Sequence, residues 1–156
     1  MSELNLAPLR ATPARGASQT GMTITPETIA KLRADTERYG LDNRWIADKY
    51  TDEELAKIYN GLGPDSFPRW LRAVLTDLNP LLEPVAFIHD IEWHEANGSR
   101  EAFNASNKRR RCNGYRVAQI EFRAWDPRRY LLMNRVRRFG NYCQAFGWNA
   151  WRTPSK

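Results

Sequence analysis

What most constrains this chain is its punctuation: helix-capping side chains recur just ahead of apolar residues at helical spacing. Thr25 precedes Pro26, a hydroxyl suited to the N-cap and a ring whose fixed φ suits the first helical position, and the helix is predicted to run to Gly40. Thr51 with Glu54 reads as a capping box, opening a helix that ends near Tyr59 and Asn60 with Gly61 as its stop. Ser66 opens another, carrying Phe67, Trp70, Leu71, Val74, Leu75 and Leu78 until Pro80 breaks it. Pro84 fits the first turn of a helix that passes Val85, Ile88 and Trp93 and stops at Asn97–Gly98. Ser99 caps the next, with Lys108 to Arg111 at its end, where positive charge suits the helix dipole. Asn113–Gly114 reads as a break, and Val117 to Trp125 fits helix or strand. Asp126–Pro127 then starts a helix through Tyr130, Leu131, Val136 and Phe139. No two stretches are joined by hairpin chemistry. The expectation is an all-α fold: a compact domain of about five or six helices over residues 23–156, with room for one short β element. Residues 1–22, broken by Pro8, Pro13, Gly16 and Gly21, read as an N-terminal tail.

Composition agrees with a packed domain, since 42% hydrophobic and 12% aromatic content lie outside the disordered class. No apolar run approaches the roughly 20 residues that span a bilayer, and residues 1–22 lack the apolar segment of a secretory leader. Cys112 and Cys143 are too few for a disulfide framework and read as reduced, part-buried thiols suited to a cytoplasm.

The charge is unevenly placed. Residues 1–97 carry 10 Lys/Arg against 15 Asp/Glu, whereas residues 98–156 carry 14 against 3. A half this positive is drawn to phosphate, in nucleic acid or in anionic lipid headgroups. The candidate polyanion contacts are Lys108, Arg109, Arg110 and Arg111, then Arg128, Arg135 and Arg138, whose spacings of seven and three make one positive face with Leu131, Leu132 and Val136 on the other. A solvated basic face over an amphipathic core helix fits the same pattern. Of Trp125, Tyr130, Tyr142, Phe146, Trp148 and Trp151, most are expected in the core.

For chemistry, the segment Phe87 to Trp93 sets His89 beside Asp90 in an otherwise apolar helix. Neighbouring helical residues project about 100° apart, so the two groups serve adjacent but separate tasks, while Trp93 falls one turn beyond His89 on its face. A core histidine bonded to a carbonyl, with Asp90 at the surface, fits equally. Zinc on His89 and His94 is disfavoured, because a spacing of five turns the rings about 140° apart. Upstream, Gly61 and Gly63 offer a loop in which carbonyls can converge on a hard cation, or simply a helix stop.

Together, the loop Tyr59-Asn60-Gly61-Leu62-Gly63-Pro64, the His89-Asp90-x-x-Trp93 motif and the following Ala105-Ser106-Asn107 resemble the phospholipase A2 family, particularly its compact members in parvovirus capsids and in phage or prophage genomes. The resemblance covers roughly Tyr59 to Arg111 and implies a central helix pair, His89 as general base, and Ca²⁺ held by Asp90 with backbone carbonyls near Tyr59, Gly61 and Gly63. It further implies hydrolysis of phospholipid esters at a membrane surface, in a host bacterial cytoplasm or on a virion. Where the family orients its histidine with a carboxylate, this chain has Asn107, and Glu92 and Glu101 are the nearest alternatives. The other expectation is a non-catalytic phage protein, a virion component or host-defence antagonist, whose basic half binds nucleic acid or a phage or host protein.

Overall fold

The computed structural model describes residues 24–59 and 79–152, which form α-helices and short 3₁₀ turns and, among the described residues, no strand. α1 (Pro26–Arg38) starts as expected, with the Thr25 hydroxyl accepting from Thr28 N at 3.3 Å. It ends at Tyr39, and Gly40, at φ +54°, turns the chain into a 3₁₀ turn over Arg44–Lys49 that the sequence did not signal. The capping box forms: Thr51 Oγ1 accepts from Glu54 N, and Glu54 Oε2 accepts from Thr51 N at 2.8 Å, opening α2 (Asp52–Ile58). A 3₁₀ turn, Pro80–Leu82, leads into α3 (Glu83–His94), with Pro84 in its first turn. Ser99 Oγ caps α4 (Arg100–Glu121) by accepting from Ala102 N at 3.1 Å, and Asp126 caps α5 (Pro127–Phe146), followed by the short α6 (Trp148–Arg152). The tail, the helix expected after Ser66, and Gly61 and Gly63 lie outside the described residues.

One expected boundary is overturned. The helix that begins after Ser99 runs straight through Asn113–Gly114 to Glu121, and tertiary contacts explain why. A Cβ on Gly114 would stand 2.7 Å from a Val136 methyl, so the missing side chain lets α5 cross α4 closely. Asn113 is buried and brackets Asp42, accepting from its N–H at 2.9 Å and donating to its carbonyl at 3.0 Å. A pair of residues that ordinarily turns a chain here fastens two parts of the fold. The stretch left open between helix and strand resolves likewise: Val117 and Ala118 are buried helical residues, and the chain leaves the helix at Phe122.

The apolar core joins Ile29 and Leu32 of α1, Leu41, Leu55 of α2, Phe87, Ile88 and Ile91 of α3, Val117 of α4 and Val136 of α5. Burying each such side chain stabilises by roughly 1.5–3 kcal/mol over leaving it exposed. α3 is covered on nearly all sides, with Val85 to His89, Ile91 and Glu92 all buried, as a helix apolar around its circumference requires. It therefore carries two ionisable groups, His89 and Glu92, into the interior. Among the described residues no helix is long and apolar enough to cross a membrane.

Candidate functional site

His89 is only 8% exposed, facing α4. Trp93 donates its indole N–H to His89 Nε2 at 3.0 Å, and Asn107 Oδ1 lies 3.3 Å from the same nitrogen. An indole nitrogen can only donate, so Nε2 must offer its lone pair and the neutral ring carries its proton on Nδ1. An amide oxygen facing that lone pair gains nothing, while the buried Asn107 Nδ2 has no partner. Turning the amide end for end points an N–H at Nε2 instead. Burial first, and the nearby Arg110 charge second, hold His89 well below its ordinary value of 6.5, against the opposing Asn107 contact. The ring is neutral at neutral pH, with its lone pair committed to Trp93.

Of the residues the resemblance groups, Asn107 stands against His89. The Asp90 charge acts on Arg110, Cys143 and Tyr59. Tyr59 closes α2 with its ring edge-on to Phe87 at 5.8 Å, and its hydroxyl is buried without a partner. Burial, then Glu83 and Asp90, push that phenol far above its usual range. The Asp90 charge reaches the Arg110 guanidinium, and the Gly61 and Gly63 carbonyls that the resemblance adds to a Ca²⁺ site lie outside the described residues. Among the described residues no group of three or more His, Cys, Asp or Glu side chains could hold a metal.

Arg110 departs furthest from expectation. The sequence puts the basic run 108–111 in one polyanion contact, yet Arg110 points inward and is 7% exposed, under the Phe139 ring at 4.8 Å. Helical geometry divides the run, because successive side chains turn by about 100°. Lys108 faces solvent, Arg111 is half-buried with NH2 reaching Asn141 Oδ1 at 3.4 Å, and Arg109 turns to Glu92.

Glu92, an alternative carboxylate for His89 on sequence grounds, instead forms a second buried cluster. It does not reach His89. Its Oε2 accepts from Ser106 Oγ at 2.6 Å, and its Oε1 accepts from Asn43 Nδ2 at 2.7 Å and from Arg109 NH1. Arg109 also pairs with Asp42 at 3.3 Å, and Asn43 reaches in from a left-handed backbone at φ +63°. The available signal was a glutamate held between Ile91 and Trp93 on a helix apolar all round.

On α5 the structure redraws the aromatic assignment. Leu132, Val136, Gly140 and Cys143 are buried. Leu131, read as apolar-face, is 60% exposed, and Trp125, Tyr130, Tyr142 and Phe146 are exposed as well, while Trp151 is buried beside Trp93 and Phe103. Arg128, Arg135 and Arg138 are all at the surface; Arg128 pairs with Asp126 at 2.7 Å and Arg135 donates to Asn79 at 3.1 Å. Cys112 is exposed and Cys143 buried, both as free thiols.

Comparison of this chain with protein-family models, with curated proteins and with solved structures finds no match.

Proposed function

We propose that this chain is a non-hydrolytic protein that binds single-stranded nucleic acid along the outer face of α5. One observation carries the reading. Arg128, Leu131, Arg135, Arg138, Tyr142 and Phe146, all exposed, fall within an arc of about 80° of that helix at 100° per residue. The helix holds five arginines and no acidic residue. The Tyr142 and Phe146 rings stand together, centroids 4.9 Å apart, at one end of the stripe. Guanidinium groups interleaved with exposed rings suit a flexible strand, whose phosphates meet the charges and whose bases stack on the rings. A helix lying in a membrane separates its apolar and basic faces, whereas α5 turns its apolar face, Leu132 to Cys143, into the protein.

Catalysis by His89 is a poorer fit. A general base needs a lone pair turned to the water it activates, and the Nε2 lone pair receives the Trp93 N–H. Asn107 brings no negative charge to stabilise an imidazolium, and Arg110 opposes one.

The test is fluorescence anisotropy with a labelled single-stranded oligonucleotide across a salt series. Affinity should fall with salt at a log–log slope of about −0.7 per phosphate contact. Arg135→Gln with Arg138→Gln should flatten that slope, and Tyr142→Ala should weaken binding by about 1–3 kcal/mol. No salt-dependent binding, or equal binding to phosphatidylglycerol vesicles, would sink the reading. In parallel, phosphatidylglycerol/phosphatidylethanolamine vesicles with Ca²⁺ should release no more fatty acid with wild type than with His89→Ala.

A further inference from the structure

Away from the outer face of α5, two guanidinium groups meet on its inner side. A Cβ on Gly140 would stand 3.1 Å from Arg110 NH2, 3.2 Å from Arg111 Nε and 3.5 Å from Arg111 NH2, so both side chains reach the same point. Arg110 Nε, Arg110 NH2 and Arg111 Nε are buried donors without partners. Among the described residues neither arginine forms an ion pair within 4.0 Å. Asp90 acts on Arg110 without engaging Nε or NH2, and Phe139 covers one face of that guanidinium.

Two like charges converging in a part-dry setting repel each other, and unmet guanidinium donors carry a full desolvation cost. A bound anion offsets both. Guanidinium forks match tetrahedral oxyanions, offering several N–H groups to several oxygens, and the missing side chain of Gly140 lets both arginine tips converge against α5. We infer that Arg110 and Arg111, meeting at Gly140, form a binding site for a compact phosphate or phosphate monoester. Arg111, half-buried, lies on the more open side of the pair. This site is separate from the outer stripe of α5, because Gly140 is about 160° round the helix from Tyr142.

Thermal unfolding in sodium phosphate, against sodium chloride at matched ionic strength, tests the site. Wild type should gain Tm saturably in phosphate over chloride, and calorimetry should count one phosphate per chain. The gain should vanish in Arg111→Gln and in Gly140→Ala and persist in Arg137→Gln, whose exposed side chain bonds Asn134. Gly140→Ala is the informative variant: alanine favours the helix, its methyl displaces the two guanidinium groups by a few tenths of an ångström, and an unchanged Tm in chloride shows that a lost phosphate response reports the site rather than failed folding. The same titration with 5′-phosphorylated and 5′-hydroxyl oligonucleotides separates a strand end from free phosphate as the source. A Tm gain no larger than in chloride, or one surviving in both Arg111→Gln and Gly140→Ala, would overturn the inference.

Discussion

Within one turn of each other, α3 and α4 carry two buried polar clusters built to opposite rules. Around Glu92 both carboxylate oxygens accept, from Ser106, Asn43 and Arg109, and the charge is balanced. Around His89 the donors outnumber what is there to receive them: two nitrogens of Arg110 and one of Arg111 lack partners, and the Asn107 amide and Trp93 indole face a single lone pair on Nε2. A satisfied buried pair holds an architecture in place, whereas unmet buried donors mark a place where something else belongs. The first cluster ties the 3₁₀ segment to the helix pair through Asn43, and the second faces α5. The difference separates structural from ligand-directed polarity within a single helix pair.

Breaking the Glu92 cluster should have the largest effect. Glu92→Ala leaves Ser106 and Asn43 without their acceptor and Arg109 with Asp42 alone, and should lower unfolding free energy by about 3–5 kcal/mol in chemical denaturation. A loss under about 1 kcal/mol would show that the two clusters do not differ as described.

Acid should report on the other side. His89 is harder to protonate folded than unfolded, so above its ordinary value of 6.5 neither state takes the proton and stability is full. Below that pH the unfolded chain takes a proton the folded one resists. Stability then falls by about 1.4 kcal/mol per pH unit until the folded value is reached, up to about 2 kcal/mol between pH 6.5 and 5. His89→Gln should remove that component of the slope, and a histidine ring that titrates normally by NMR would refute the assignment.

Trp93→Phe should be milder, about 1 kcal/mol, since it deletes one neutral donor from Nε2. It should also make His89 easier to protonate, visible as an upward move of its titration. The smallest effect is expected from Arg110→Met, which removes a desolvated charge with unmet donors while keeping its bulk under Phe139. Stability should stay within about 1 kcal/mol of wild type, or rise, in contrast with Glu92→Ala. A loss as large as that of Glu92→Ala would make both clusters structural.

The sequence by itself determined the local architecture. Thr25, Thr51, Ser99 and Asp126 cap where they were read to cap, because a capping side chain satisfies N–H groups a few residues away and needs no distant partner. It also made the meeting of His89 and Trp93 legible, since a spacing of four puts both on one helical face, though not its chemistry. The direction each buried side chain takes was left to the tertiary structure. Arg110 belonged by composition to a basic surface, but the rotation of α4 and the gap at Gly140 take it inside. Asn113–Gly114 looked like a turn until Val136 and Asp42 supplied contacts stronger than that local preference. Glu92 could be recognised as buried from its neighbours, yet its partners Asn43, Ser106 and Arg109 lie 49, 14 and 17 residues away. Capping and periodicity are short-range and can be read along the chain; which polar groups meet in the interior depends on which helices pack together, and only the assembled fold decides that.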